Sequence, residues 1–223
     1  MIVANRKPFE EIKQYLAPYQ NILVLGCGTC VAVCLAGGKK EVGLLASQLK
    51  MSFALDKKKV HISEETLERQ CDREFLEMIR DKVKEYDALL SLACGAGIQY
   101  TAERFPKKVV LPAVNTTFLG VTLEQGVWSE RCQGCGECIL HLTGGVCPVA
   151  RCAKSLFNGP CGGSSDGKCE VNKETDCAWQ MIINRLKELG QLDKYEEIIP
   201  PKNWSSSRDG GPRTRVREDL KLS

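Results

Sequence analysis

The length, composition and charge of the chain exclude several classes of protein. Its 223 residues are 43% hydrophobic and 26% charged, which is normal for a folded globular protein and unlike a disordered or fibrous chain. The formal net charge of +3 is small, and the basic residues are scattered among acidic ones. Because nucleic-acid binding needs a clustered basic face, we expect no nucleic-acid partner.

The sequence also indicates a compartment. No apolar stretch approaches the roughly 18 residues that span a bilayer, and residues 1–8 lack the apolar core of a secretory signal. We therefore expect no membrane insertion and a cytoplasmic location. Disulfides do not persist in a reducing cytoplasm, so the 13 cysteines indicate metal or redox chemistry.

The first predicted elements alternate between strand and helix. The apolar run Ile22–Leu25 predicts a buried strand that ends in Gly26-Cys27-Gly28. Helical segments follow, one reaching Gly37-Gly38 and one over residues 40–50. Next, Val60–Ile62 precedes an expected amphipathic helix with Ser63 as its N-cap. Its apolar positions recur every four residues, at Leu67, Cys71, Phe75, Ile79 and Val83.

The same alternation continues to about residue 118. Residues 87–93 predict a third strand, residues 98–104 a short helix and Val109–Leu111 a fourth strand. This order predicts an α/β fold, a doubly wound parallel sheet of flavodoxin-like or Rossmann-like type, within a domain over residues 1–125. Ligands of such sheets bind beyond the carboxyl ends of the strands, where Cys27 and Cys94 stand.

After residue 125 the pattern changes. Eight of the 13 cysteines lie between Trp128 and Trp179, where glycine is frequent and hydrophobic periodicity is lost. So little apolar material would need a bound metal or cluster as a cross-link. We therefore predict an irregular Cys-rich cluster-binding module over residues 126–195, with a helix over 177–190. An extended tail without structure of its own is expected over 196–223.

The strongest local motif is Cys132-x-x-Cys135-x-x-Cys138, followed by Cys147-Pro148. Two-residue spacers let successive thiolates reach three corners of a cubane, as in bacterial ferredoxins. Gly134 and Gly136 let the backbone curl and aim its amides at the sulfurs. The gap before the proline-linked cysteine is longer than in ferredoxins, so the fourth ligand stays open. A zinc site of four cysteines is the alternative.

The other cysteines extend the count of candidate iron ligands. Cys147, Cys152, Cys161, Cys169 and Cys177 bring the module to eight, enough for two four-thiolate centres or for one cluster and one zinc. In the sheet domain the candidates are Cys27, Cys30, Cys34, Cys71 and Cys94. Free cysteine is often simply buried, and Cys34 and Cys71 are open to that interpretation. One centre with four cysteines of the sheet domain and two centres with the eight cysteines of the module would use 12 of the 13 cysteines, so three clusters are the maximum.

Other chemistries have weaker support. Gly26-Cys27-Gly28 has two glycines of a dinucleotide fingerprint but lacks the third. The only histidines are His61 and His141, and no acid–base set stands out. We therefore expect no catalytic residue in this chain and a non-catalytic role within an oxidoreductase complex.

Several motifs together resemble one family. They are Gly26-Cys27-Gly28-Thr29-Cys30, Arg69-Gln70-Cys71-Asp72, Ala93-Cys94-Gly95-Ala96-Gly97, the Cys132–Cys138 run, Cys147-Pro148-Val149-Ala150-Arg151-Cys152, Asn158-Gly159-Pro160-Cys161, Lys168-Cys169-Glu170 and Cys177-Ala178-Trp179. Over residues 20–190 the chain is similar to the MetV family. These are small iron-sulfur subunits, also called methylenetetrahydrofolate reductase C-terminal-domain proteins, of acetogenic and related anaerobic bacteria.

The resemblance implies a function and a partner. It implies an electron-transfer subunit with two to three 4Fe-4S clusters, or with zinc in place of one. Electrons would pass to the flavin of a MetF-type flavoprotein, where methylenetetrahydrofolate becomes methyltetrahydrofolate in the one-carbon metabolism of the Wood-Ljungdahl pathway. A separate protein or complex would be the electron donor. The match at Arg69-Gln70-Cys71 favours Cys71 as a ligand. The alternative is a zinc-binding scaffold subunit of the same complex without a redox role.

Overall fold

The computed structural model describes residues 1–221, so Leu222 and Ser223, the end of the predicted tail, lie outside the described residues. The chain divides into two compact units, Met1–Ser129 and a second that begins at Glu130. The strands are β1 (Ile2–Arg6), β2 (Asn21–Cys27), β3 (His61–Leu67), β4 (Ala88–Ser91), β5 (Val109–Pro112), β6 (Val114–Glu124) and β7 (Val127–Cys132). The α-helices are α1 (Phe9–Leu16), α2 (Cys30–Val33), α3 (Lys39–Leu55), α4 (Arg73–Glu77), α5 (Arg80–Val83), α6 (Gly95–Arg104), α7 (Pro148–Arg151) and α8 (Ala178–Glu188).

A four-stranded parallel sheet forms the centre of the first unit. Its strand order is β3-β2-β4-β5, and each neighbouring pair is parallel. This order is the one that flavodoxin-like sheets have in their first four strands. The predicted α/β class with a parallel sheet is therefore confirmed.

Helices flank this sheet, which explains why its strands read as continuous apolar runs. Along β2, Ile22 and Val24 belong to a core that includes residues of α3, whereas Leu23 and Leu25 belong to a second core that includes residues of α4 and α5. All four side chains are fully buried. A strand buried on both faces shows no polar alternation.

A second, antiparallel element of the fold was not predicted. Strands β1, β6 and β7 form a separate sheet in that order, with β6 in the middle. In its register Ile2 pairs with Leu119 and Arg6 with Val114. Val3 and Ala4 of β1 are buried in the same core as α3, so the first residues of the chain are part of this unit.

The helix predicted to begin at Ser63 is wrong. Residues His61–Leu67 form strand β3 instead, and Ser63 and Leu67 lie within it. The helices that follow are short, and Asp72 rather than Ser63 acts as an N-cap, its Oδ1 accepting the N–H of Glu74 at 3.3 Å. Cys71 therefore lies in the turn between strand and helix and not on an apolar helical stripe.

Regular structure is sparse in the second unit. Its core consists of Cys177, Trp179, Ile182 and Leu186, with three partly buried neighbours. Helix α8 lies within the helix predicted over residues 177–190, and Gly190 follows it with φ of +64°, as helix ends commonly require. The tail contains three short 3-10 turns, at Trp204–Ser206, Arg208–Gly210 and Glu218–Leu220. No helix within residues 1–221 has the length and apolar character needed to cross a bilayer.

Candidate functional site

Four cysteines gather at the carboxyl edge of the parallel sheet. Cys27 is the last residue of β2 and Cys30 the first of α2. Cys71 follows β3 by four residues, and Cys94 is the N-cap of α6 just after β4. Because β2 lies between β3 and β4, the three loops meet where the strand order reverses. Ligands of open α/β sheets bind at such a reversal.

Electrostatics shows that the four thiols are neighbours. The pKa of Cys71 is raised, first by burial and then by the negative charges of Cys27, Cys94 and Cys30. Cys71 nonetheless counts as exposed, so its burial is partial. The charge effects are the more informative cause, since they arise only when the other three thiols lie within interaction range.

Gln70 is a positioning residue that our reading of the sequence missed. Its side chain is fully buried, and its Nε2 donates to the carbonyls of Leu25 at 2.9 Å and Gly26 at 3.0 Å. Its Oε1 accepts from the Ser91 hydroxyl at 2.7 Å and the Thr101 hydroxyl at 3.3 Å. Gln70 thus ties the turn that holds Cys71 to β2, β4 and α6. Gln70 is part of the motif Arg69-Gln70-Cys71-Asp72 quoted above, but nothing in the motif indicates its hydrogen-bond partners.

The structure places Cys34 in the core of the first unit. It is only 4% exposed, and its thiol donates to the carbonyls of Ala4 at 3.7 Å and Val31 at 3.6 Å. A thiol with two backbone acceptors in a packed core matches the common buried use of free cysteine. Its surroundings differ from those of Cys30, which is partly exposed on the same short helix.

In the second unit the Cys132–Cys138 loop has the expected curl. Gly134 and Gly136 adopt φ of +63° and +87°, a region that side chains with a Cβ rarely occupy. The N–H of Gly134 donates to Cys132 Sγ at 3.3 Å, the type of amide–sulfur contact that tunes bound iron-sulfur groups. Cys132 and Cys138 are exposed and Cys135 is partly buried.

Four further cysteines of this unit line one small cavity, namely Cys152, Cys161, Cys169 and Cys177. The pKa of Cys169 is lowered, mainly because the backbone N–H groups of Asn172 and Val171 donate to its sulfur. Cys161 contacts the Glu170 carboxylate at 3.1 Å. The cavity therefore brings together the four cysteines nearest to the C-terminus, and Cys147, the N-cap of α7, does not line it.

The donor atoms of these sets are cysteine thiols, whose thiolates can ligate either zinc or an iron-sulfur cluster. Within residues 1–221, no three side chains of His, Cys, Asp or Glu are close enough to hold one metal ion. A zinc ion draws its sulfurs to about 2.3 Å from one centre, whereas a cubane binds each thiolate at a separate corner and tolerates wider spacing. Four thiols at the sheet edge and four at the cavity are the number and type of donor that a four-iron cluster takes.

His61 lies away from the cysteine edge, and His141 has a contact through its backbone. His61 begins β3, at the opposite edge of the sheet from Cys71, and its ring bonds to the Ser63 hydroxyl at 3.0 Å. The backbone carbonyl of His141 accepts from Lys194 at 3.2 Å.

Comparison with known proteins relates part of the chain to one family. Residues 111–205 match the family model described as "Methylene-tetrahydrofolate reductase C terminal". No curated protein and no solved structure matches the chain. The match supports the coarser part of the resemblance drawn from the sequence motifs, a relation to methylenetetrahydrofolate reductase.

Proposed function

We propose that this chain is an electron-transfer subunit that relays electrons through 4Fe-4S clusters to the flavin of a methylenetetrahydrofolate reductase catalytic subunit, in the manner of the MetV family. The observation that supports this most is the convergence of Cys27, Cys30, Cys71 and Cys94, drawn from three separate loops, at one edge of the sheet. The effect of the other three thiols on the pKa of Cys71 supports their use as one ligand set.

The remaining thiols divide in a way that fits three clusters. Cys152, Cys161, Cys169 and Cys177 line one cavity and would hold a second cluster. Cys132, Cys135 and Cys138 would hold a third, with Cys147 as the one module cysteine left for its fourth corner. This assignment uses 12 of the 13 cysteines and leaves Cys34 in its core position.

Each cluster, when bound, accepts and passes on one electron at a time. The residues of this chain provide the thiolates, the amide donors beside them and the degree of exposure. Cys30 and Cys94 are partly exposed, and Cys132, Cys138 and Cys161 are exposed, so each set has a side from which a partner could exchange electrons. Two electrons and two protons convert methylenetetrahydrofolate to methyltetrahydrofolate, and the protons would be handled by the flavoprotein.

The family match supports the proposed partner. Residues 111–205 are similar to a family named for methylenetetrahydrofolate reductase, which supports a reductase of this type as the acceptor. A MetF-type flavoprotein, a cytoplasmic location and the Wood-Ljungdahl pathway are the finer parts of the proposal and come from the resemblance of the sequence motifs. The electron donor would be a further protein or complex.

Metal analysis after anaerobic purification tests the proposal. We expect about 12 iron and 12 acid-labile sulfide per chain, with electron paramagnetic resonance signals of reduced 4Fe-4S clusters. The variant Cys71→Ser should lose about four iron per chain, whereas Cys34→Ser should keep the full content. Zinc without iron would instead identify a structural scaffold subunit and refute the electron-transfer role.

Electron transfer itself needs a separate assay. Chemically reduced protein mixed with the oxidised flavoprotein should bleach the flavin absorbance, and Cys71→Ser should slow this reaction or abolish it. Folate reduction by this chain alone, without the flavoprotein, would contradict the assignment of a non-catalytic role.

A further inference from the structure

The tail of the chain bonds to the Cys132–Cys138 loop. We call residues Lys202–Arg213 the strap. The Ser206 hydroxyl donates to the carbonyl of Cys135 at 3.2 Å. The Arg213 guanidinium donates to the carbonyl of Gly134 at 2.8 Å and also to that of Ser206 at 2.7 Å. The strap therefore satisfies two consecutive carbonyls of the loop.

Lys202 makes the most buried of these contacts. Its ammonium donates to the carbonyl of Glu137 at 2.9 Å and pairs with the Glu137 carboxylate at 3.3 Å. The side chain of Lys202 is 1% exposed, whereas that of Glu137 is 50% exposed. The N–H of Asn203 donates to the same carboxylate at 3.1 Å. The buried ammonium of Lys202 thus bonds to Glu137, the residue directly before Cys138. The Glu137 carboxylate is in turn held by two groups of the strap, the Lys202 ammonium and the Asn203 N–H.

The fit between strap and loop leaves no room at Gly136. A Cβ at that position would lie 2.3 Å from the carbonyl oxygen of Ser206, well inside van der Waals contact. Glycine is thus required twice, by its φ of +87° and by this backbone approach. The strap and the loop pack backbone to backbone.

The strap is held in place by its own contacts. The side chains of Asn203 and Ser207 cap its two 3-10 turns. The Trp204 ring packs edge-on against Phe157, with centroids 5.9 Å apart. Just before the strap, Asn158 exchanges two hydrogen bonds with the backbone of Ile199, at 2.7 and 3.0 Å. A segment fixed at several points can hold a charge at a defined place.

We propose that the strap sets the reduction potential of the cluster held by Cys132, Cys135 and Cys138, with Lys202 as the main positioning residue and Arg213 as the second. The inference rests on the proposed function. Reduction adds one negative charge to a cluster, so a nearby buried cation stabilises the reduced form and raises the potential. Removing the Lys202 ammonium would leave the charge of the Glu137 carboxylate unpaired, and the reduction potential would fall.

The test is a redox titration of the anaerobically purified full chain, followed by electron paramagnetic resonance. The relevant signal is the one that Cys135→Ser removes. For Lys202→Met we expect a decrease of about tenfold in the equilibrium constant for one-electron reduction, which equals about 59 mV. Arg213→Gln should shift the same signal in the same direction by less, because Arg213 is more exposed and screened by water.

Two controls separate charge from structure. The double variant Lys202→Met/Glu137→Gln removes both charges. Its equilibrium constant for one-electron reduction should return to within about threefold of the wild-type value. Lys221 forms a pair with Glu218 at 2.9 Å elsewhere in the tail, and Lys221→Met should leave the signal unchanged. Lys202→Arg, which keeps the charge, should also leave it near the wild-type value.

The outcomes distinguish this inference from the proposed function. A wild-type chain without iron and sulfide would refute the proposed function and the inference together. A chain with full iron content and an unshifted signal in Lys202→Met would overturn only the role of the strap. If Lys202→Met alone loses this cluster and the double variant keeps it, the unpaired carboxylate is the cause and the strap is supported. Loss in both variants, with no shift in Arg213→Gln, would overturn it.

Discussion

Replacing Gln70 with leucine tests how the sheet positions Cys71. Leucine keeps most of the volume but removes all four hydrogen bonds of the buried amide. The Ser91 hydroxyl then loses its acceptor. The carbonyl of Leu25 still accepts the Leu92 N–H at 2.9 Å, so losing its hydrogen bond from Gln70 costs less. A buried group left without a partner costs about 1–3 kcal/mol, and we expect a total destabilisation of about 2–4 kcal/mol in the first unit.

Hydrogen exchange of the metal-free protein, read by mass spectrometry on peptides that contain β2 and β4, measures this loss in the first unit alone. The matched control is Gln99→Leu, since Gln99 makes one exposed hydrogen bond to its own helix at 3.0 Å and should change stability by less than about 0.5 kcal/mol. In the anaerobically loaded protein, Gln70→Leu should also lose the iron that Cys71→Ser loses. Exchange like that of the control, together with full iron content, would show that Gln70 does not organise the site.

Three further results are expected. In metal-free protein, iodoacetamide should modify Cys169 at lower pH than Cys71, because a lowered pKa keeps Cys169 as thiolate while a raised pKa keeps Cys71 protonated. Mass spectrometry across a pH series measures the order of modification. The reverse order would contradict the prediction. Gly136→Ala should detach the strap, because its Cβ would meet Ser206 O at 2.3 Å, and residues 202–213 should then exchange amide hydrogens faster, whereas Gly145→Ala, with open space around it, should not affect them. Asn158→Ala should destabilise the tail by about 1–2 kcal/mol through two lost hydrogen bonds, seen as earlier proteolysis after Ile199; unchanged proteolysis would show that this anchor is dispensable.

The sequence predicted the central strands well because burial on both faces leaves a local signature. Ile22–Leu25 and Ala88–Leu90 are uninterrupted apolar runs, and both lie in inner strands of the sheet. Strand β3 is at the edge, and its Ser63, Glu64 and Glu65 gave no apolar run. The apolar residues at intervals of four from Leu67 onward therefore led to a predicted helix that began too early, within β3.

The antiparallel sheet was missed for a different reason. Its pairing joins residues 2–6 to residues 114–119, and contacts over such a separation leave no local pattern. Strand β6 also has exposed Asn115, Thr116 and Thr117, which resemble a loop when read alone. The position of Cys71 depended on the error at β3 alone, because the correct end of that strand at Leu67 moves Cys71 from a helical stripe to the cysteine edge.

The candidate ligands themselves were readable from spacing, but their grouping was not. Three residues separate the end of β3 from Cys71, and two separate the end of β4 from Cys94. These short spacings have no fixed meaning until the strand order places both loops beside Cys27. In the second unit, Cys152 and Cys177 are 25 positions apart, yet both line one cavity. Grouping of this kind comes from chain folding over long distances, which a single sequence does not encode in local form.

The two units differ in what stabilises them, and this bears on how the clusters would act. The first unit has two extensive apolar cores on opposite faces of its sheet, so it can fold without a cofactor and present a preformed cysteine edge. Among the residues that the structure describes, the hydrophobic cluster of the second unit has only four buried members, one of them Cys177. A unit with so little apolar burial gains much of its stability from whatever cross-links its cysteines. Because Cys177 belongs to both the core and the cavity, loss of the cluster proposed at that cavity would loosen the packing of Trp179 and α8.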